Sequence, residues 1–182
     1  MAVKTKTQLN ALSNPELIKY LDSLSQATYN SYVDADTKVR YFIAKYGELF
    51  MKEIKGTGLF FSAVIPQTMF ESGYGRSTIF MNGNNFGGVR YVSSIHPNYY
   101  LSSAGSKWAK WATPEEGVKG YIKVLMNSRY ANARKNATNP EQQILMIHEA
   151  GYDPSTSPKT YVGRVRGNIQ RVRKLVPIGR IE

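Results

Sequence analysis

The 182-residue sequence contains no cysteine, which excludes disulfide bonds and thiol chemistry within this chain. It contains two histidines, His96 and His148, and these do not form a cluster with the spacing of zinc ligands. His148 is followed by Glu149, but the second histidine of a metalloprotease helix is missing. We therefore expect no metal and no other cofactor.

Long hydrophobic runs are also missing from the sequence. No apolar stretch reaches the roughly 18 residues that a membrane-spanning helix needs. The N-terminal residues 1–21 lack an apolar core of signal-peptide length. We expect neither membrane insertion nor a signal peptide in this chain, so export would use a signal trimmed earlier or another route, such as phage-mediated lysis.

Acidic residues are few, and basic residues outnumber them by 24 to 13, which gives a formal net charge of +11. Such an excess favours a polyanionic partner, which could be a nucleic acid, an anionic membrane or an anionic cell wall. Charge alone does not choose among the three. The sequence has no helix-turn-helix glycine pattern, RNP-like strand or zinc finger, so we do not expect a nucleic-acid partner.

The length suits one domain of about 100–200 residues together with an extension. Residues 1–35 predict a helical N-terminal extension, and residues 36–182 predict the main domain. Between 73 and 112, glycine, asparagine and serine are frequent, and short aromatic and β-branched pieces predict a small β-hairpin lobe or an irregular region. Apolar residues at helical spacing, with helix-start signals, predict helices over 14–28, 36–55, 59–72, from 114, over 139–151 and over 159–175.

Glu71 stands out because no acidic residue follows it until Glu115. It ends a helix that is apolar almost all round, and a glycine-rich turn follows at once. A carboxyl group in such a position can be partly desolvated beside a cleft, which raises its pKa and allows it to donate a proton near neutral pH. The alternative is an ordinary glutamate at a helix end.

Four segments around and after Glu71 decide between these interpretations. In order they are residues 62–77, which end in ESGYGRS; residues 84–90, NNFGGVR; residues 111–130, with Thr-Pro-Glu-Glu-Gly and a final Ser-Arg-Tyr; and residues 151–162, which begin Gly-Tyr-Asp-Pro. Together they resemble the peptidoglycan β-N-acetylglucosaminidases of glycoside hydrolase family 73, which include flagellar hydrolases, autolysins and phage lysins. The resemblance covers about residues 38–175.

The resemblance implies an α+β, mostly α, lysozyme-like fold, in which a helical lobe and a small β-hairpin lobe enclose a glycan-binding groove. Residues 36–182 would be the glucosaminidase domain. Glu71 matches the catalytic acid that protonates the oxygen between N-acetylglucosamine and N-acetylmuramic acid. The implied partner is the glycan strand of peptidoglycan, at the bacterial cell wall, and we expect a monomer.

Five further residues match positions near the groove of this family. Tyr152 and Tyr161 match family tyrosines whose hydroxyls could bond the substrate acetamido group or steady the oxocarbenium-like charge. Asn85 and Phe86 match the turn at the groove floor, and Tyr74 stands where the family usually has tryptophan. Core packing is the alternative role for Tyr152, Tyr161 and Phe86.

The second carboxylate of a typical glycosidase has no obvious counterpart. In this family the proposed partner comes from the β lobe, but residues 73–112 contain no aspartate or glutamate. Glu115 and Glu116 lie just beyond it, where their charges suit the start of a helix, with help to an attacking water as the alternative. We expect either attack by the substrate's own 2-acetamido group, which we favour, or attack by a held water.

Two rival interpretations remain at this point. A muramidase or lytic transglycosylase shares the lysozyme-like fold and a lone glutamate, but the transglycosylases usually have a Gly-Leu-Met-Gln-type turn where this sequence has Asn-Asn-Phe-Gly-Gly. A non-catalytic cell-wall-binding module would also fit the basic charge and the missing second acid.

Overall fold

The computed structural model describes residues 3–176, and within this range it contains α-helices and one two-stranded antiparallel sheet. None of these helices is both long enough and apolar enough to cross a lipid bilayer. The helices are α1 (Lys6–Asn10), α2 (Asn14–Asp22), α3 (Gln26–Tyr32), α4 (Ala35–Ile54), α5 (Phe61–Ser72), α6 (Thr78–Gly83), α7 (Pro114–Leu125), α8 (Ala131–Asn136), α9 (Pro140–Glu149) and α10 (Pro158–Leu175), and the strands are β1 (Asn98–Leu101) and β2 (Lys107–Lys110).

Short polar side chains begin most of the helices. Thr113 accepts a hydrogen bond from the backbone N–H of Glu116 at the start of α7, and Asn139 and Ser157 cap α9 and α10 in the same way. Proline occupies the first position of each of these three helices, where its missing N–H costs nothing. The predicted helix starts near 114, 139 and 159 are therefore confirmed to within a residue or two.

The structure differs from two of the predicted elements, and in both a local serine cap is the reason. The single helix predicted over 14–28 is divided into α2 and α3, because the Ser25 side chain caps a new helix through the N–H of Thr28. Within the lobe predicted as β-hairpin or irregular, Ser77 caps the short helix α6 through the N–H of Phe80. The predicted hairpin itself is present, with Tyr100 of β1 paired opposite Trp108 of β2.

Helix α5 lies at the centre of the domain, and every residue from Phe61 to Met69 is buried. Helices α4, α9 and α10 pack around it. The helix ends at Gly73, which takes the left-handed conformation with φ of +58°, and Tyr74 also has a positive φ of +57°. The chain therefore turns sharply immediately after Glu71, at the end of the most deeply buried helix.

An aromatic core connects α4 to the β lobe. The Phe86 ring is fully buried and meets the rings of Tyr46, Phe50 and Phe80 edge-to-face, at centroid distances of 5.2, 5.1 and 4.8 Å. Edge-to-face pairs of this kind add stabilisation beyond the area that they bury. This packing fixes the loop after α6 against the helical lobe.

The N-terminal helices α1–α3 form a separate apolar cluster, which also includes Tyr41 of α4. Arg76 ties this cluster to the ESGYGRS turn. Its guanidinium donates to the backbone carbonyls of Leu21 and Leu24, at 3.1 and 2.7 Å, and lies 4.5 Å from the centroid of the Tyr29 ring. The division at residue 35 remains a prediction, but the segment before it is anchored to the rest of the protein.

We predict that Arg76→Met lowers the free energy of unfolding by about 1–3 kcal/mol, because charge-assisted hydrogen bonds to two half-buried carbonyls are lost. Arg164→Met is the matched control, since Arg164 is exposed on α10 and its loss should change stability by less than about 0.5 kcal/mol. Urea unfolding of both variants measures the difference. Equal effects would contradict the anchoring role of Arg76.

Candidate active site

Glu71 occupies the last turn of α5 and is half-buried. Burial raises the pKa of its carboxyl above the ordinary value, and the nearby charge of Asp153 raises it further. A hydrogen bond from Tyr161 acts in the opposite direction, but the pKa remains raised. The site therefore holds a carboxyl group whose proton is retained to higher pH than that of an ordinary glutamate.

Tyr161, on α10, is the hydrogen-bond partner of Glu71. Its hydroxyl donates to Oε1 of Glu71 at 2.6 Å and accepts from Nε2 of Gln67 at 3.1 Å. The ring is fully buried, and its centroid lies 4.7 Å from that of His148. Burial and the neighbouring Glu71 raise the pKa of Tyr161, so its hydroxyl keeps its proton and remains a donor.

The other oxygen of Glu71 faces the Gly87–Gly88 turn of the β lobe. A Cβ atom built on Gly88 would lie 3.6 Å from Oε2 of Glu71 and 3.9 Å from the Trp108 ring. A Cβ on Gly87 would lie only 2.1 Å from the Tyr121 ring, so no side chain fits there. These two glycines allow the backbone of the turn to pass beside the carboxyl group.

Asn85 and Phe86 hold this turn in place. The Nδ2 group of Asn85 donates to the carbonyls of Val89 and Ala109, at 2.9 and 2.8 Å, and its Oδ1 accepts from the N–H of Val89 at 2.8 Å. Phe86 is fully buried in the aromatic core. Both side chains are thus engaged within the protein, which favours the packing role for Phe86, while substrate contact by either residue remains a prediction.

The hydroxyl groups of Tyr152 and Tyr74 are both bonded within the protein. The Tyr152 hydroxyl donates to the carbonyl of Gly87 at 2.9 Å, and its ring centroid lies 6.3 Å from that of Tyr161. Tyr74 follows the left-handed turn, and its hydroxyl donates to Oδ1 of Asn168 on α10 at 2.8 Å. The structure therefore brings Tyr152 and Tyr161 together beside Glu71, whereas the hydroxyl of Tyr74 is used to join the turn to α10.

Glu115 and Glu116 are exposed in the first turn of α7. The Glu116 carboxylate accepts from the N–H of Ala112 at 3.0 Å, as expected for a helix-start charge. The carboxylate whose charge acts on Glu71 is instead Asp153, whose own pKa is lowered, chiefly by a hydrogen bond from the Ser155 side chain. The Gly-Tyr-Asp-Pro motif alone does not predict this role of Asp153, because its effect on Glu71 depends on the packing of the loop before α10.

Across residues 3–176, no group of three or more histidine, aspartate or glutamate side chains has a geometry that could hold a metal ion. The functional groups gathered around Glu71 are tyrosine hydroxyls, the backbone of the Gly87–Gly88 turn and the Trp108 ring. Such a site can hold, donate and take back one proton beside an aromatic wall.

A family model matches most of the chain. The glucosaminidase family model, described as mannosyl-glycoprotein endo-β-N-acetylglucosaminidase, matches residues 47–174. No sequence among the curated proteins compared matches the chain.

Several solved structures have a similar fold, and the predicted lysozyme-like architecture is confirmed. The glycoside hydrolase domain of FlgJ from Salmonella typhimurium is 23% identical, with a TM-score of 0.60 over 75% of this chain and 89% of that one. The catalytic domain of the autolysin Auto from Listeria monocytogenes is 19% identical, with a TM-score of 0.57 over 93% and 96%. A peptidoglycan hydrolase from Sphingomonas sp. A1 is 18% identical, with a TM-score of 0.59 over 75% and 94%.

We predict that Tyr161→Phe raises the pKa of the Glu71 carboxyl, because the substitution removes the hydrogen bond that favours the ionised form. Asp153→Asn should shift the pKa in the opposite direction, since it removes a negative charge but keeps an oxygen for Ser155. Titration of the Glu71 side-chain carbon by ¹³C NMR measures both shifts. Shifts of the same sign in the two variants would contradict this account of the site.

Proposed function

Since the chain belongs to the glucosaminidase family and is a glycoside hydrolase, we propose that it cleaves the β-1,4 bond between N-acetylglucosamine and N-acetylmuramic acid in peptidoglycan. Glu71 is the proposed general acid. The observation that carries this proposal is a half-buried carboxyl group with a raised pKa. Its Oε1 is held by Tyr161, and its Oε2 faces the Gly87–Gly88 turn of the β lobe. We further propose that the protein acts at the bacterial cell wall, and the expected monomeric state remains a prediction.

The geometry supports a particular oxygen of Glu71 as the proton donor. Because the Tyr161 hydroxyl donates to Oε1, the acidic proton of Glu71 belongs on Oε2, the oxygen beside Gly88. Transfer of this proton to the glycosidic oxygen leaves a carboxylate on Glu71. The bond from Tyr161 then becomes charge-assisted and stronger, so Tyr161 stabilises the product of the proton transfer.

The second step of the proposed mechanism uses the substrate's own 2-acetamido group. As the bond between C1 and the leaving oxygen breaks, the acetamido oxygen attacks C1 and forms a cyclic oxazolinium intermediate. Water then adds to C1 as the bond between C1 and the acetamido oxygen breaks, which restores the acetamido group. The Glu71 carboxylate takes the proton of that water. The absence of acidic residues between Glu71 and Glu115 favours this route over a second enzyme carboxylate.

Attack by a held water is the alternative mechanism. Asp153 is then a better candidate for its base than Glu115 or Glu116, because the charge of Asp153 acts on Glu71, whereas Glu115 and Glu116 lie at the start of α7 and Glu116 is bonded to Ala112. A direct attack would invert the configuration at C1, whereas substrate assistance retains it.

We predict that the first product has the retained β configuration. Proton NMR of a short glycan during hydrolysis distinguishes the anomers before they equilibrate. A first product of inverted configuration would remove substrate assistance and leave the water mechanism.

We predict that Glu71→Gln lowers the rate of wall hydrolysis at least about a hundredfold, because glutamine cannot donate the proton. Glutamine keeps an oxygen for the Tyr161 hydroxyl, so folding should be preserved.

The raised pKa means that Glu71 contributes most stability below the ordinary glutamate pKa, and this contribution is lost as pH rises through the folded-state value. At pH 7 the variant should therefore be as stable as the wild type or more stable.

Mass spectrometry of digested peptidoglycan tests the substitution and the bond together. The wild type should release fragments with N-acetylglucosamine at the reducing end, and Glu71→Gln should release almost none while still binding the wall. Reducing-end N-acetylmuramic acid would identify a muramidase, and an anhydro-muramic end a lytic transglycosylase. An inert wild type that binds the wall would identify a non-catalytic module.

A further inference from the structure

A cavity of about 570 Å³ opens beside the Gly87–Gly88 turn, on the side of α7. Its volume lies within the range of small-molecule sites, about 300–1,000 Å³. Gly88 and Tyr152 belong to its wall as well as to the surroundings of Glu71. Any group bound in this cavity is therefore next to the proposed cleavage site.

The charged side chains of this cavity all have the same sign. Arg90, Lys123 and Arg129 line it, and no aspartate or glutamate is among its lining residues in the described part of the chain. None of the three forms an ion pair with a carboxylate within residues 3–176. By contrast, the cavity beside the N-terminal helices contains Lys45 together with Asp22, and these two are paired at 2.8 Å.

His96 also lines the cavity, and Lys123 is the charged side chain that acts on it. Burial is the main reason that its pKa is lowered, and the charge of Lys123 lowers it further. Its Nδ1 accepts a hydrogen bond from the N–H of Val92 at 2.9 Å. Among residues 3–176, the cavity thus has cationic side chains at its walls and no lining carboxylate to balance them.

The remaining wall is apolar and aromatic. Trp111, Val124 and Tyr130 line it, and the Trp111 ring meets that of His96 edge-to-face at 5.7 Å. A cavity with one apolar wall and several cations suits an organic anion with aliphatic parts better than a free inorganic ion. Peptide stems of peptidoglycan have this character, since they carry carboxylates on short aliphatic residues.

We propose that this cavity binds the peptide stem of the substrate, with Lys123 and Arg129 attracting the stem carboxylates. The inference rests on the proposed function and deepens it. The stem is attached to N-acetylmuramic acid, which is one of the two sugars at the bond that we propose is cleaved, so it can reach a cavity that begins at Gly88. The consequence is a preference for glycan chains that carry stems over chains without them.

Two substrates and two variants test this proposal. The substrates are soluble glycan chains with intact stems and the same chains after amidase treatment, which removes the stems and leaves only the lactyl carboxylate. The test variant is Lys123→Met. The matched control is Lys119→Met, because Lys119 is an exposed cation of the same helix that does not line the cavity.

The expected result concerns kcat/KM for each substrate. Lys123→Met should lower kcat/KM for stem-bearing chains by about three- to tenfold, and lower it much less for stripped chains. Lys119→Met should change neither value by more than about twofold. Raising the salt concentration should reduce the wild-type preference for stem-bearing chains, because screening weakens the attraction.

Other results would overturn the proposal. Equal losses on both substrates in Lys123→Met, or a wild type that cleaves stripped chains as efficiently as stem-bearing chains, would show that the cavity does not bind the stem. Both results leave the proposed hydrolase function intact. A wild type that cleaves neither substrate would instead refute the proposed function and this inference with it.

Discussion

The half-buried hydrogen bond between Tyr161 and Glu71 is the interaction on which the site depends. It joins the end of α5 to α10 across 90 residues of sequence, and it opposes the burial that raises the pKa of Glu71. Burial favours the protonated carboxyl, whereas the bond from Tyr161 favours the ionised form. The pKa of the proton donor is thus set by how tightly α5, α10 and the Asp153 loop pack together.

The β lobe contributes geometry to the site and no acid. Asn85 uses its whole amide to fix the turn, and Phe86 anchors that turn in the aromatic core. Gly87 is needed because the Tyr121 ring lies too close for any larger side chain, and Gly88 because its φ of +59° lies in the left-handed region. A lobe that supplies a backbone wall and the Trp108 ring, but no acid, suits a mechanism in which the substrate provides its own nucleophile. The same turn separates Glu71 from the cationic cavity, so bond cleavage and stem recognition would share one structural element.

Much of this arrangement could be predicted from local sequence signals. A cap and a first-turn proline located each of α7 and α9, and an apolar helix followed by glycine indicated Glu71. The short helix α6 was not predicted, because a single serine cap determines it within a glycine- and asparagine-rich segment. The ring partners of Phe86 and the effect of Asp153 on Glu71 could not be predicted from spacing, because both depend on contacts between elements distant in sequence.

The pH dependence of hydrolysis tests the central claim most directly, because it asks whether the proton on Glu71 is the proton used in catalysis. We predict that kcat/KM for peptidoglycan falls as the pH rises, and that this fall follows the same pKa that NMR measures for the Glu71 carboxyl in the free protein. Hydrolysis that continues undiminished at pH values where Glu71 is fully ionised would contradict it.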